Sequence, residues 1–171
     1  MEKLMPRINQ LGDTLFRDDL YELLKGIYQR LSYTTLNSAG LAIKAGGGVL
    51  VKTGSTATTL NMGGVLVSIA ASTDMPALVG TVTADLFNVF VFSQDSAGTR
   101  YTSMGTEAAT LAGVKMPNIP DNRVIIGLIV VNPTGTGNFV GGTTALDDAT
   151  VVPNVVYNNT VGAFSLNALL Q

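Results

Sequence analysis

Two stretches of this chain are apolar almost without interruption. Val124-Ile125-Ile126-Gly127-Leu128-Ile129-Val130-Val131 is opened by Arg123 and closed by Asn132-Pro133, and Leu86-Phe87-Asn88-Val89-Phe90-Val91-Phe92 has similar character. Each is far shorter than the ~20 apolar residues needed to cross a bilayer. Their β-branched and aromatic content, with a breaker at Pro133, favours strands over helix turns. Neither alternates with polar residues, so both faces of each strand must be covered. The two runs are natural partners, and the body of the protein is expected to form around them.

Upstream the period changes. Met1–Gly12 is an extended lead-in, and Asp13 suits an N-cap, with Asp18 and Asp19 early in a helix where the dipole favours carboxylates. Phe16, Leu20, Leu23, Leu24, Ile27 and Leu31 recur at helical spacing in a broad stripe, with Arg17, Glu22, Lys25 and Arg30 largely opposite. Gly26 weakens this helix by ~1 kcal/mol. Such a stripe can pack on the chain's own β body or meet symmetry mates or another protein, and periodicity does not separate the two.

After Asn37-Ser38-Ala39-Gly40 the chain breaks into short apolar runs divided by turn residues. Leu41–Ala45 is a candidate strand. Gly47-Gly48-Val49-Leu50-Val51 returns as Gly63-Gly64-Val65-Leu66-Val67, which predicts neighbouring strands of a meander. Asp95-Ser96-Ala97-Gly98 predicts a hairpin into Thr99–Met104. The Ala-rich Glu107–Val114 predicts a short helix across one end of the body. Phe139–Ala145 is a further strand, and Val151–Tyr157 closes the sheet as an edge strand that tolerates Pro153. Many short strands with turns at this spacing predict a mainly β protein with a sandwich or jelly-roll body.

Composition narrows the chemistry. The 171 residues include no Cys and no His, which removes disulfides, thiolates, and the commonest general base and metal ligand. Only the α-amino group has an ordinary pKa between pH 5 and 8, so stability should hardly respond there. Charged residues are 13% of the chain, about half the usual share. So uncharged a surface predicts burial against partners. The net charge of -2 argues against a nucleic-acid partner, and no membrane segment is expected. Ten of the 22 charges fall in residues 1–31. That asymmetry divides the chain into an arm with its amphipathic helix, residues 1–36, and a β body, residues 37–171.

Candidate reaction chemistry is thin. Gly135, Gly137 and Gly141 form a Gly-rich loop, but it precedes a strand, whereas a phosphate cradle needs helix amides. Asp147-Asp148 with Thr143 and Thr144 has the atoms for a hard cation but lacks EF-hand spacing, and a solvated turn is the simpler account. Pro117-Asn118-Ile119-Pro120 is a connector into an apolar strand, and Asn158-Asn159-Thr160 is an acceptor sequon that matters only in a secretory setting. No Ser sits in a nucleophile elbow, and a Ser or Thr nucleophile would lack a His base. No enzyme, cofactor or metal site is expected.

Three segments carry a family resemblance: Gly80-Thr81-Val82-Thr83-Ala84-Asp85 running on to Phe92; Met116-Pro117-Asn118-Ile119-Pro120 followed by Val124-Ile125-Ile126-Gly127; and Asn138-Phe139-Val140-Gly141-Gly142-Thr143-Thr144-Ala145-Leu146-Asp147. Their order resembles small virion proteins of tailed bacteriophages, the Gly/Thr-rich decoration or head-fibre type. The resemblance covers about the second half of the body and leaves the helix outside it. It implies a chain made in the host cytoplasm and carried on the capsid surface, cementing or decorating the shell as a homo-oligomer, with a homotrimer expected and the major capsid protein as partner. The stripe of Phe16, Leu20, Leu23, Leu24, Ile27 and Leu31 is then the expected oligomer or capsid interface. A tail or fibre component that binds host-surface glycans is the alternative. From another class comes a carboxylate-dependent glycan hydrolase, for which no carboxylate pair is marked out.

Overall fold

A computed structural model describes residues 17–162, apart from residues 26, 29 and 30. The expected lead-in, the Asp13 cap, Phe16 and the apolar tail 163–171 lie outside the described residues. Helical backbone at residues 17–25, 27–28 and 31–32 is called α1. Eleven strands follow: β1 Tyr33–Thr35, β2 Ala42–Ile43, β3 Val51–Lys52, β4 Thr58–Met62, β5 Val65–Ile69, β6 Thr81–Val82, β7 Asn88–Asp95, β8 Arg100–Met104, β9 Arg123–Val131, β10 Phe139–Val140 and β11 Val156–Asn159. The chain is mainly β, with an N-terminal helix and several antiparallel sheets.

The two apolar runs are β7 and β9, paired antiparallel in the middle of a four-stranded sheet of order β11-β9-β7-β8. Directly opposed residues share a face. Val89 with Val130 and Val91 with Leu128 point one way, and Phe90 with Ile129 points the other. Each face feeds a separate apolar cluster. The larger holds Phe90, Phe92, Val124, Ile126, Ile129 and Val131 against Leu60 and Met62 of β4 and Ile69 of β5, with Leu41, Leu78, Val82 and Phe139. Phe139 meets Phe90 edge to face, with centroids 5.9 Å apart, a geometry that adds ~0.5–1.5 kcal/mol beyond area burial. The smaller holds Val89, Val91, Leu128 and Val130 beneath Val114, with Phe87, Leu111, Met116 and Ile119 packed around it. Both faces of the central strands are thus covered, as an unbroken apolar run requires.

The second sheet has order β1-β4-β5. Along β4, Thr58, Leu60 and Met62 are buried while Thr59 and Asn61 are half-buried, the period of a strand with one face on a core. β1 belongs to this sheet, Tyr33 to Thr35 pairing with Met62 to Leu60. A division at residues 36 and 37 therefore leaves one strand of the body on the arm side. Helix gives way to strand between Ser32 and Tyr33 with no loop.

A β-bulge locks the two sheets together. Phe92 opposes Gly127 and Ser93 opposes Ile125, which leaves Ile126 as the extra residue of β9. At this irregularity the carbonyl of Ile125 accepts two side-chain hydrogen bonds, from Thr35 Oγ1 at 2.6 Å and Thr160 Oγ1 at 2.9 Å. Both threonines are buried. Each such bond contributes ~0.5–1.5 kcal/mol net, and losing it leaves a desolvated group.

Several strands differ from expectation. The two Gly-Gly repeats do not begin neighbouring strands. Gly63-Gly64 turns β4 into β5, and Gly47-Gly48 lies between β2 and β3, so each repeat is the turn of its own hairpin. Glu107–Val114 is not a helix beyond the 3₁₀ turn Leu111–Gly113. Its Ala108 N–H donates to Phe87 O, and the flanking Thr106 and Lys115 exchange backbone bonds across the segment. Pairing in the tertiary structure here overrides the propensity of the alanines. The strand expected over Phe139–Ala145 stops at Val140, because Thr144 N–H bonds Val140 O and its hydroxyl accepts the Val140 N–H. The edge strand begins at Val156, beyond Pro153, since Val151 O is taken by Thr134 N–H and Val152 N–H by Asp148 O. The Asp95–Gly98 turn does join β7 to β8.

Gly127 sits where β9 is most crowded. A Cβ there would lie 2.6 Å from Leu41 Cδ1 and 2.7 Å from the backbone oxygen of Asn158 on β11. Leu41 can turn away, but the β11 backbone cannot without breaking its ladder. Gly127→Ala is expected to lower the unfolding free energy in urea by about 1–3 kcal/mol. Gly137→Ala, with nothing within 4 Å of its Cβ, should stay within about 0.5 kcal/mol of the parent. Equal stabilities for the two variants would contradict this account of the β9–β11 packing.

Candidate assembly interface

The sequence places an apolar stripe on α1, and among the described residues that stripe is uncovered. Leu20, Leu23, Leu24, Ile27 and Leu31 are 40–61% exposed. Phe16, the sixth expected member, lies outside the described residues. Tyr21 and Tyr28 are 64% and 63% exposed and flank the stripe, each one position beyond Leu20 and Ile27. They were not expected as members, although their seven-residue separation is a sequence signal that links them to it. Glu22 and Lys25 form an ion pair at 3.6 Å away from the leucines. Such an exposed pair adds only ~0.3–0.5 kcal/mol.

Two hydrogen bonds tie the helix end to the second sheet. Asn61 Nδ2 donates to Leu31 O at 3.2 Å, and Gly63 N–H donates to Ser32 O at 2.7 Å. Gly63 and Gly64 have φ of 66° and 90°, which their turn requires and which a side chain disfavours. Just past that turn, Val65 and Leu66 are 63% and 67% exposed. Leu66 is the cross-strand partner of Asn61. The uncovered apolar surface therefore runs from the helix onto the adjoining edge of the body.

The other candidates resolve into structure. Both carboxylate oxygens of Asp147 accept the Gly47 N–H, and Asp148 Oδ1 accepts from Thr150 and Val151. Gly141 lets the chain pass Leu78, whose backbone would lie 2.8 Å from a Cβ. In Asn158-Asn159-Thr160, Asn159 Oδ1 accepts the Leu41 N–H and the Thr160 hydroxyl is buried on Ile125 O. Pro120 O accepts the Arg123 N–H as the chain enters β9. No helix among the described residues is long and apolar enough to cross a membrane.

One groove of about 370 Å³ lies on the smaller core's side, beside the edge strand β11. Phe87, Leu111, Val130 and Val156 supply apolar walls, and Asn132, Asn154 and Asn158 supply amides. Among the described residues no carboxylate lines it. The Oδ1 atom of Asn132 is buried there with no hydrogen-bond partner among the described residues.

The charge arrangement at the β7–β8 turn carries the clearest electrostatics. Asp95 Oδ1 accepts from Ala97 and Thr99 N–H, and Tyr101 Oη donates to Oδ2 at 2.8 Å. Arg123, paired with Asp95 across the strands, stacks its guanidinium 3.5 Å from the Tyr101 ring centre. The Tyr101 hydrogen bond foremost, then the two backbone amides and the Arg123 charge, hold Asp95 below its ordinary 3.8, against a smaller opposing desolvation. Burial, then the Asp147 charge, pushes Tyr157 above its ordinary 10.0.

A depressed carboxylate stabilises the fold above its unfolded pKa and stops doing so as pH falls through the folded value. A raised phenol contributes below pH 10.0 and is lost as pH rises through its folded value. With no His in the chain, the urea midpoint should be level from about pH 5 to 8 and fall below about pH 4. Asp95→Asn should flatten part of the acid fall, and an unchanged acid slope would remove Asp95 from it. In comparison with known proteins, no family model, no curated protein and no solved structure matches the chain.

Proposed function

We propose that this chain is a structural protein of a bacteriophage particle, which decorates or cements the capsid by bridging shell subunits as a homo-oligomer. The observation that carries the assembly part is the uncovered apolar face of α1, joined to a body that already has two closed cores. Such a face gains ~25 cal/mol for each Å² of apolar area it buries on a partner. Many copies on one particle turn modest contacts into a firm hold through effective concentration. The virion part rests on the resemblance of segments 80–92, 116–127 and 138–147 to Gly/Thr-rich phage head proteins. On this reading the body is a sandwich, its two principal sheets lying on either side of the larger core, and the major capsid protein lies beneath it.

The groove beside β11 favours a second reading, a tail or fibre component that holds a glycan. Phe87 offers a ring face, and Asn132, Asn154 and Asn158 offer amides. A neutral polyol suits a lining without charge.

Capsid co-sedimentation separates the readings. The full chain should pellet with particles, and electron microscopy should place it on the head surface. A version beginning at Ser32 should keep its β circular dichroism and lose particle binding. Binding undiminished without the helix would move the interface elsewhere. If amide shifts around Phe87 and Asn158 instead respond to millimolar neutral hexose oligomers, and Asn132→Leu abolishes the response, the glycan reading holds.

A further inference from the structure

The helix pattern says more about its partner than apolarity alone. Over residues 20–31 a seven-residue repeat places Leu24 and Leu31 at a, Leu20 and Ile27 at d, Tyr21 and Tyr28 at e, and Leu23 at g. Asp18, Asp19, Glu22 and Lys25 fall at b, c or f, while Arg17 takes the a position at the N-terminal end of the stripe and Arg30 takes the g position before Leu31. A two-stranded coil covers a narrow a/d seam and keeps e and g polar, whereas Leu at a with Ile at d, the arrangement of Leu24 and Ile27, shifts preference toward three or more strands. This seam is wider, with Tyr21 and Tyr28 at e and Leu23 at g beside the apolar a and d residues.

Area agrees with an occupant of the same kind. The seven side chains, 40–64% exposed, leave on the order of 700 Å² uncovered on each copy, above the ~300–600 Å² of a monomer's largest patch and close to the ~800 Å² per partner of a stable interface. From Leu20 to Ile27 the a, d, e and g positions carry no charge, so this part of the seam is self-complementary, with Arg17 at its N-terminal end. A helix of this length is marginal in water without such packing.

The attachment point sets direction. Leu31 and Ser32 are bound to Asn61 and Gly63, so the β4–β5 turn sits at the C-terminal end of the helix. Parallel helices bring the exposed Val65 and Leu66 of neighbouring copies together below the coil. Antiparallel helices leave those side chains in water at opposite ends.

We infer that α1 forms a parallel three-stranded coiled coil with two further copies of this chain, and that Val65 and Leu66 extend its seam onto the bodies. This rests on the homo-oligomer of the reading above, and identifies the element that closes it and its direction.

The test uses the full chain. Sedimentation velocity at about 10–100 micromolar should give a trimer. The double substitution Leu24→Asp with Ile27→Asp should give a monomer with the parent's β circular dichroism, while Glu22→Lys at position f stays trimeric. Because the chain has no cysteine, single-cysteine variants report direction without background. Leu31→Cys should cross-link between copies on mild oxidation, and Lys25→Cys should not. A monomeric parent overturns the coil and the oligomer reading together. A trimer that survives the double substitution overturns the coil alone, as does a Leu31→Cys variant that fails to cross-link within a trimer. Loss of the β signal in the double variant would assign the stripe to the body's own core and overturn the inference as well.

Discussion

The antiparallel pairing of β7 with β9 is the contact on which the body depends. Its residues run Asn88 to Asp95 against Val131 to Arg123, and both faces are sealed by apolar clusters. A strand buried on both faces has no water to receive its backbone groups, so every ladder bond must be made. That requirement explains what surrounds it. The second sheet with its loops covers one face, and the excursion from Gly105 to Asp121 covers the other. The single place where the ladder slips, at Ile126, is the place where Thr35 and Thr160 reach in to satisfy Ile125. Truncating Phe90 or Phe92 in this pair would cost on the order of 3–5 kcal/mol, a large part of a domain's net stability.

Helix and body differ because they solve different problems. The body buries polar side chains with partners drawn from its own chain: Thr53 with Ala70 and Thr73, and Asn88 with Gly105. It needs few charges because turns and threonines do the capping. Among the described residues the helix leucines have no such partner, and most of the helix charges fall on the side away from them. Joining the two directly at Ser32-Tyr33 makes the helix axis answer to the position of β1.

The central strands, the helix with its stripe, the β7–β8 hairpin and the mainly β class were all legible in the sequence. Each rests on a local periodicity or on turn chemistry at Asp95–Gly98, and local signals survive folding when no stronger partner intervenes. Likewise the lack of Cys and His limits the chemistry from sequence alone. Where expectation failed, a distant segment had claimed the backbone. Glu107–Val114 lost its helix to Phe87, Val151 gave its carbonyl to Thr134, and the Gly-Gly repeats became turns because β4 and β2, not each other, lay within reach. Only the tertiary structure could bring Thr35 to Ile125 across 90 residues of chain, or put Val65 and Leu66 beside the end of the stripe. A one-dimensional pattern records which face is apolar. What that face meets is decided by loop closure and by the competition among distant partners.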